Sequence, residues 1–183
     1  MLLNFRRINE SDDLVEITEL IHAAYAPHAA LGLKYWGTHQ TVADTEKRFK
    51  AGIGFIAEEN GEYVGTATIR PPQKESKVDL YNQHNVWSLA QFCISPKCKS
   101  KGYGKALHSH VAMAAIENGA EILALDTAKP ASALIAMYQA WGYTIVGECD
   151  WRPHTNYMSL LMALPLNTHQ GKNAPNNSFG ADA

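Results

Sequence analysis

Trp87 to Ala115 constrains this chain more than any other stretch, because strand, glycine turn and helix follow one another there without a break. Val86-Trp87-Ser88-Leu89-Ala90-Gln91-Phe92-Cys93-Ile94 is apolar, aromatic and partly alternating, as a half-buried strand requires. Pro96 stops it, and Lys97-Cys98-Lys99-Ser100-Lys101-Gly102-Tyr103-Gly104-Lys105 follows. Ala106 to Asn118 then reads as a helix, with Leu107, Val111, Ala114 and Ala115 on one face and Asn118-Gly119 as its stop. The first turn of a helix leaves backbone N–H groups unpaired, and the helix dipole places about half a positive charge there. Glycines let an anion reach the main chain, and a phosphate needs little else. Lys97, Lys99, Lys101 and Lys105 surround this point. A lysine cluster that is merely solvated on a loop is the plainer alternative; strand, glycines and helix start in register favour the phosphate site.

The turn is not a Walker loop, since no Gly-Lys-Ser/Thr follows a first glycine at the required spacing. Gly102-Tyr103-Gly104 matches only the first half of a Rossmann fingerprint, and Leu107 stands where its third glycine belongs. Lys99-Ser100-Lys101-Gly102-Tyr103-Gly104 does resemble the pyrophosphate loop of the GCN5-related N-acetyltransferase (GNAT) superfamily, Arg/Gln-x-x-Gly-x-Gly/Ala. Lys99 keeps the charge of the first position without the planar fork of arginine.

The rest of the chain supplies an element order. Leu3 to Arg7 reads as a strand, and Asp13 caps a helix with Glu16 completing a capping box. Leu14, Ile17, Leu20, Ile21 and Ala24 give that helix its apolar face, and it is expected to end near Pro27. A loop with His28, Leu31, Lys34, Tyr35, Trp36 and His39 leads to a short helix over Thr41 to Lys50. Gly54 to Glu59 and Tyr63 to Arg70 form a hairpin at Asn60-Gly61. Pro71 through Asn85 is a polar loop before the central strand, and Ile122 to Leu125 a short buried strand after the central helix. Pro130 opens a helix over Ala131 to Trp141, and Tyr143 to Cys149 and Tyr157 to Leu164 are the last strands. This β-α-α-β-β-β-α-β-α-β-β order is that of the acetyltransferase superfamily. Tyr138-Gln139-Ala140-Trp141-Gly142-Tyr143 resembles the Tyr-x-x-x-Gly-Phe ending of the family's fourth helix. The resemblance covers residues 1–164 and implies one α/β domain: a mixed central sheet, splayed at its central strand, with flanking helices. Residues 165–183 are polar and are expected to be a disordered tail.

Charge and composition remove other classes. A formal net charge of −2 gives no basic footprint for nucleic acid. No apolar run approaches membrane length, and the first residues lack the hydrophobic region of a secretory signal. Cys93, Cys98 and Cys149 are an odd number without framework spacing, which suits a reducing cytoplasm. Cys98, His108 and His110 are the one set that resembles metal ligands, but two histidines two apart on a helix face different ways, so no metal is expected.

The resemblance implies acetyl-CoA as co-substrate and a small-molecule or peptide amine as acceptor, with a homodimer left open. Lys99, Ser100, Lys101, Gly102, Tyr103, Gly104, Lys105 and Ala106 would hold the pyrophosphate, and the main chain of Phe92, Cys93 and Ile94 the pantetheine arm, as a peptide adds to a sheet edge. Tyr138 would protonate the departing thiolate, a feasible step for a phenol of pKa about 10 against a thiol of about 8.5. Histone-type relatives carry a glutamate base where this chain has Ser88; Glu58, Asp79, His84 and Glu148 are the substitutes considered. Many relatives also have asparagine where Ala131 stands. Tyr35, Trp36, Trp87 and Trp151, with Arg152 and His154, fall on segments that flank the acceptor side in the family. Many aromatics and few carboxylates suit a smallish or amphipathic amine. An acyl-CoA-binding module without turnover and a dinucleotide-binding protein are the alternatives.

Overall fold

The computed structural model describes residues 3–166. Its elements are β1 (Leu3–Arg7), α1 (Leu14–Ala30), α2 (Val42–Lys50), β2 (Ile53–Glu59), β3 (Glu62–Arg70), α3 (Asp79–Asn82), β4 (Val86–Ile94), α4 (Tyr103–Glu117), β5 (Ile122–Ala128), α5 (Ser132–Ala140), β6 (Thr144–Asp150) and β7 (Met158–Pro165). The expected tail from residue 167 onward lies outside the described residues; Pro165 closes β7, and the Leu166 N–H donates to the Glu121 carbonyl at 2.8 Å.

Several local details differ from expectation. Asp13 caps α1 by accepting from the N–H groups of Val15 and Glu16, but its own N–H donates to the Tyr63 hydroxyl, so Glu16 closes no capping box. The reciprocal box forms at α2 instead, between Thr41 and Asp44. Helix α1 continues through Pro27 to Ala30. Within the segment expected to be a polar loop, residues 79–82 make one helical turn, α3, whose Tyr81 is buried.

The seven strands lie in the order β1-β2-β3-β4-β5-β7-β6. Every neighbouring pair is antiparallel except β4 and β5, which run parallel and pair only from Val86↔Ile122 to Ser88↔Ala124. A sheet with one short parallel contact is not the doubly wound parallel sheet of a dinucleotide-binding fold. The parting of β4 from β5 has a local cause. Against β3, Thr68 faces Ala90 while Thr66 faces Cys93, so β4 carries one extra residue there. Gln91 takes a φ of 48° at this bulge, and the Thr66 hydroxyl donates to its carbonyl at 2.6 Å. An extra residue bends the strand that carries it. Beyond Ser88, β4 pairs with β3 alone.

The two faces of the sheet are covered differently. Leu107 and Val111 of α4 pack over Ala67, Ile69, Leu89, Leu123, Leu125 and Met162. On the opposite face, Ile17 and Ile21 of α1 and Phe49 of α2 pack over Ile56 and Cys93, while Tyr81 of α3 packs with Val86, Ala124 and Leu161. Strand alternation sorts these sets, since odd positions of β5 face α4 and even positions face away. At the outer edge the Arg6 guanidinium binds Asp12 and Glu58, joining β1 to the start of α1 and to β2. The Tyr63 hydroxyl also donates to Asp12, and these bonds hold its carboxyl below the usual range.

Candidate active site

The central motif forms as its residue types require. Ser95 accepts from the Lys97 N–H in a short turn over Pro96–Cys98; Ser100 and Gly102 then take left-handed φ values of 65° and 79°. Helix α4 starts at Tyr103, three residues before the expected Ala106, because Gly102 itself serves as N-cap. Glycine brings no side chain to cap with. The Ala106 N–H reaches the Gly102 carbonyl at 3.1 Å, but those of Tyr103, Gly104 and Lys105 find no acceptor among the described residues. A Cβ at Gly104 would meet nothing nearer than Trp141 Cη2 at 3.7 Å and Ile94 Cγ1 at 3.8 Å, so open space adjoins these donors. Three N–H groups at a bare helix end beside that space fit a pyrophosphate.

The four lysines divide. Lys101 donates to Glu59 at 3.0 Å and the Tyr103 hydroxyl bonds the same carboxylate, which ties the loop to the end of β2. Lys97, Lys99 and Lys105 are exposed and make no ion pair among the described residues. On β4 the Phe92 carbonyl accepts from the Tyr25 hydroxyl at 3.2 Å, and the ring stands edge-on to Trp141. Cys93 is buried beneath α1 with its thiol 3.4 Å from the Thr66 hydroxyl, and burial pushes that thiol up to about 11. Only its main chain can serve a ligand. Ile94 lies beside Gly104, so strand and loop meet.

Tyr138 on α5 is 6% exposed, with Trp141 and Tyr143 edge-on around it. Burial raises its pKa well above the usual value and keeps the phenol protonated. His108 binds the Tyr143 hydroxyl at 2.9 Å, and burial lowers its pKa to about 4. His110 instead packs between Phe5 and Phe55, and no group of three or more His, Cys, Asp or Glu able to hold a metal occurs among the described residues.

The expected acceptor aromatics do not all share one place. Trp87 is buried in the core under α4, on the face opposite Ser88, because neighbours along a strand point to opposite sides; it is not an acceptor-side residue. Tyr35 is buried with its hydroxyl 3.0 Å from that of Thr127, and its ring packs on Tyr25, His28 and Tyr157. Trp36 lies at the rim beside His39 and His154. Trp151 donates from Nε1 to Asp126 at 3.0 Å. Asp126, two residues past the last β4–β5 pair and on the face away from α4, also accepts from the Tyr81 hydroxyl at 2.8 Å. Burial raises its pKa above the usual carboxylate value.

The model of the acetyltransferase (GNAT) family matches residues 15–143. The chain belongs to that family. It is 26% identical over 146 residues to the S-(2-succino)cysteine N-acetyltransferase of Bacillus subtilis (strain 168), covering 79% of this chain and 86% of that one. The fold resembles the ribosomal-protein-S18-alanine N-acetyltransferase of Escherichia coli, with a TM-score of 0.69 at 16% identity over 98% of this chain and 100% of that one. It also resembles a GNAT family acetyltransferase of Elizabethkingia anophelis with acetyl-CoA bound, with a TM-score of 0.62 at 13% identity over 90% and 98%. The chain is therefore an acetyl-CoA-dependent N-acetyltransferase, and the bare start of α4 is where its residues suit the cofactor's phosphates.

Ser88, at the position expected from histone-type relatives to hold a glutamate base, accepts through its hydroxyl from Gln73 Nε2 at 2.9 Å. None of the four substitutes considered from sequence lies at the splay. Glu58 is held by Arg6 at the far edge, Glu148 pairs with Lys129 on the surface, and Asp79 and His84 are exposed. The carboxylate that does lie there, Asp126, was visible as a lone acid inside the apolar run Ile122-Leu123-Ala124-Leu125-Asp126. Ala131 stands at the N-cap of α5 and supplies no side-chain hydrogen bond.

Proposed function

We propose that this N-acetyltransferase acetylates the primary amine of a small acceptor by direct attack in a ternary complex. Acetyl-CoA supplies an acetyl group activated as a thioester; the chain binds, orients and moves protons. The N–H groups of Tyr103, Gly104 and Lys105 hold the pyrophosphate, and the free side of β4 beyond Ser88 takes the amide-rich arm. Asp126 accepts the proton of the incoming ammonium, since a carboxylate with a raised pKa is a better base than an exposed one. Tyr138 donates a proton to the departing sulfur. Its hydroxyl, protonated by burial and within electrostatic reach of Asp126, suits that role. The observation that carries this reading is the opening of β4 from β5 past Ser88, with Asp126 beyond it and the uncapped helix end nearby.

The Bacillus subtilis relative is named for an amino-acid substrate, which supports a small acceptor over a protein one. The catalytic unit is residues 1–164, and the three unpaired, buried cysteines favour a reducing cytoplasm. The test is thiol release from acetyl-CoA over a panel of amino acids, polyamines, aminoglycosides and peptides. Release that depends on one small amine supports the reading. Silence across the panel, with acetyl-CoA binding intact, would convert the protein into an acyl-CoA sensor.

A further inference from the structure

Two half-buried arginines on the acceptor face join no ion pair among the described residues. Arg70 ends β3 opposite Ser88, and its Nε is buried with no hydrogen-bond partner. Arg48 extends from α2 and donates from Nη1 to Gln40 Oε1 at 2.9 Å, leaving most of its five donors to other partners. Gln40 in turn donates to Gln91 at the β4 bulge, so Arg48 is braced against the splay itself. Neither guanidinium joins an ion pair among the described residues. Each lies close enough to Asp126 to feel its charge, and Arg48 feels Arg70 as well. Burial lowers both arginine pKa values without bringing them near neutrality, because guanidinium stays charged in proteins. The face thus holds two half-buried positive charges and one negative, beside the buried, unpartnered Arg70 Nε. Buried charges are costly unless paired, and an unsatisfied buried donor costs further.

We propose that the acceptor carries a carboxylate bound by Arg70 and Arg48, so that the substrates are amines bearing an acid group, of the amino-acid type. This rests on the reading of the β4–β5 opening as the acceptor site and narrows it. A carboxylate between the two arginines balances the charge of the face and gives the Arg70 Nε an acceptor; guanidinium forks match carboxylates with paired hydrogen bonds. The same arrangement rejects polyamines, whose ammonium groups two guanidinium ions repel.

Two measurements on the full chain decide this. The first is calorimetric titration of succinate, and separately of putrescine, onto wild-type protein, Arg70→Gln and Arg70→Lys, each variant first shown to bind coenzyme A as wild type does. Succinate should bind wild type, putrescine should not, and Arg70→Gln should weaken succinate by about tenfold or more, as loss of one member of a buried charge pair does. Arg70→Lys should fall between them, since it keeps charge and loses the fork. Succinate binding that Arg70→Gln leaves unchanged, or no succinate binding to wild type at millimolar concentration, overturns the proposal. The second compares L-methionine with 3-(methylthio)propylamine, its decarboxylated counterpart, as acceptors. Equal kcat/KM for the pair overturns the carboxylate claim and leaves the transferase standing. Arg70-dependent succinate binding without turnover of any amine does the reverse.

Discussion

Asp126 and Tyr138 owe their assigned work to burial. Both lose water, and burial raises both pKa values, the carboxyl toward a useful base and the phenol toward a fixed proton donor. Tyr138→Phe keeps the ring against Trp141 and Tyr143 and removes only the proton. If the hydroxyl is the acid, kcat should fall about 100- to 10,000-fold, while a lost buried hydroxyl costs stability only about 1 kcal/mol. A mutant within threefold of wild type at saturating substrates, with chemistry rate-limiting, would place the acid elsewhere. For Asp126 the readout is pH. The ionised carboxylate is the working form, so kcat/KM should rise with pH through a pKa above the ordinary 3.8. Asp126→Asn should abolish that acid limb and lower the neutral-pH rate by about 100-fold or more. A limb that survives in Asp126→Asn assigns it to another group. Tyr138 is legible in sequence through its motif. Asp126 shows in sequence only as a lone acid after an apolar run, and Arg48 and Arg70 not at all, because their meaning comes from neighbours that the fold brings in from distant elements.

On the proposed reading, helix α4 and the loop before it work through the main chain, so their side chains matter chiefly by being absent. A Cβ at Gly104 fits against the protein, as nothing lies within 3.7 Å, but it fills the space at the helix end. Gly104→Val should therefore fold and melt within about 1 kcal/mol of wild type, the helix-propensity scale of such a change, and yet bind acetyl-CoA far more weakly. Lys99→Ala, which removes an exposed charge, should cost at most about 1 kcal/mol of binding, an effect that shrinks as salt rises. Calorimetric titration of both variants checks this, and equal losses would move the phosphate site away from α4. Strand, turn and helix here are legible because each is a local pattern. The start of α4 shifts by three residues because Gly102 serves as both turn and cap. The bulge at Gln91 has no sequence mark, since its positive φ is held by Thr66 and by the Gln40 side chain, from distant parts of the chain.

The whole molecule is held at its outer edge by one ion cluster. Asp12 is nearly inaccessible and takes hydrogen bonds from Arg6, Tyr63 and the Asn9 N–H, which depress its pKa. A depressed carboxyl stabilises the fold above its unfolded value near 3.8, and that contribution disappears as pH falls through the folded value. Asp12→Asn should destabilise the protein by about 2 kcal/mol at neutral pH, the range of hydrogen bonds to charged groups. Denaturant melts should show wild type and mutant converging in acid below that window. A gap that persists there would assign the loss to packing. At this scale the element order is legible, whereas the placement of β7 between β5 and β6 is not, because pairing across the sheet depends on partners far apart in sequence.

That placement also bears on when the protein becomes an enzyme during its synthesis. β7, the C-terminal strand among the described residues, lies in the interior of the sheet, with Leu161 opposite Asp126. Until β7 leaves the ribosome, the strand pairing of β5 is limited to its three residues against β4, and the strand carrying the proposed base is an open edge. Most of the chain can emerge, including the finished phosphate loop, before the acceptor side can form. Arrested nascent chains should gain succinate binding only once residue 165 is clear of the exit tunnel; succinate binding by shorter chains would mean that β5 is held by other contacts. Birth of the proposed acceptor site is thus timed by β7, and a ribosome that stops short of it releases a molecule with the proposed phosphate cradle and nowhere to put an amine.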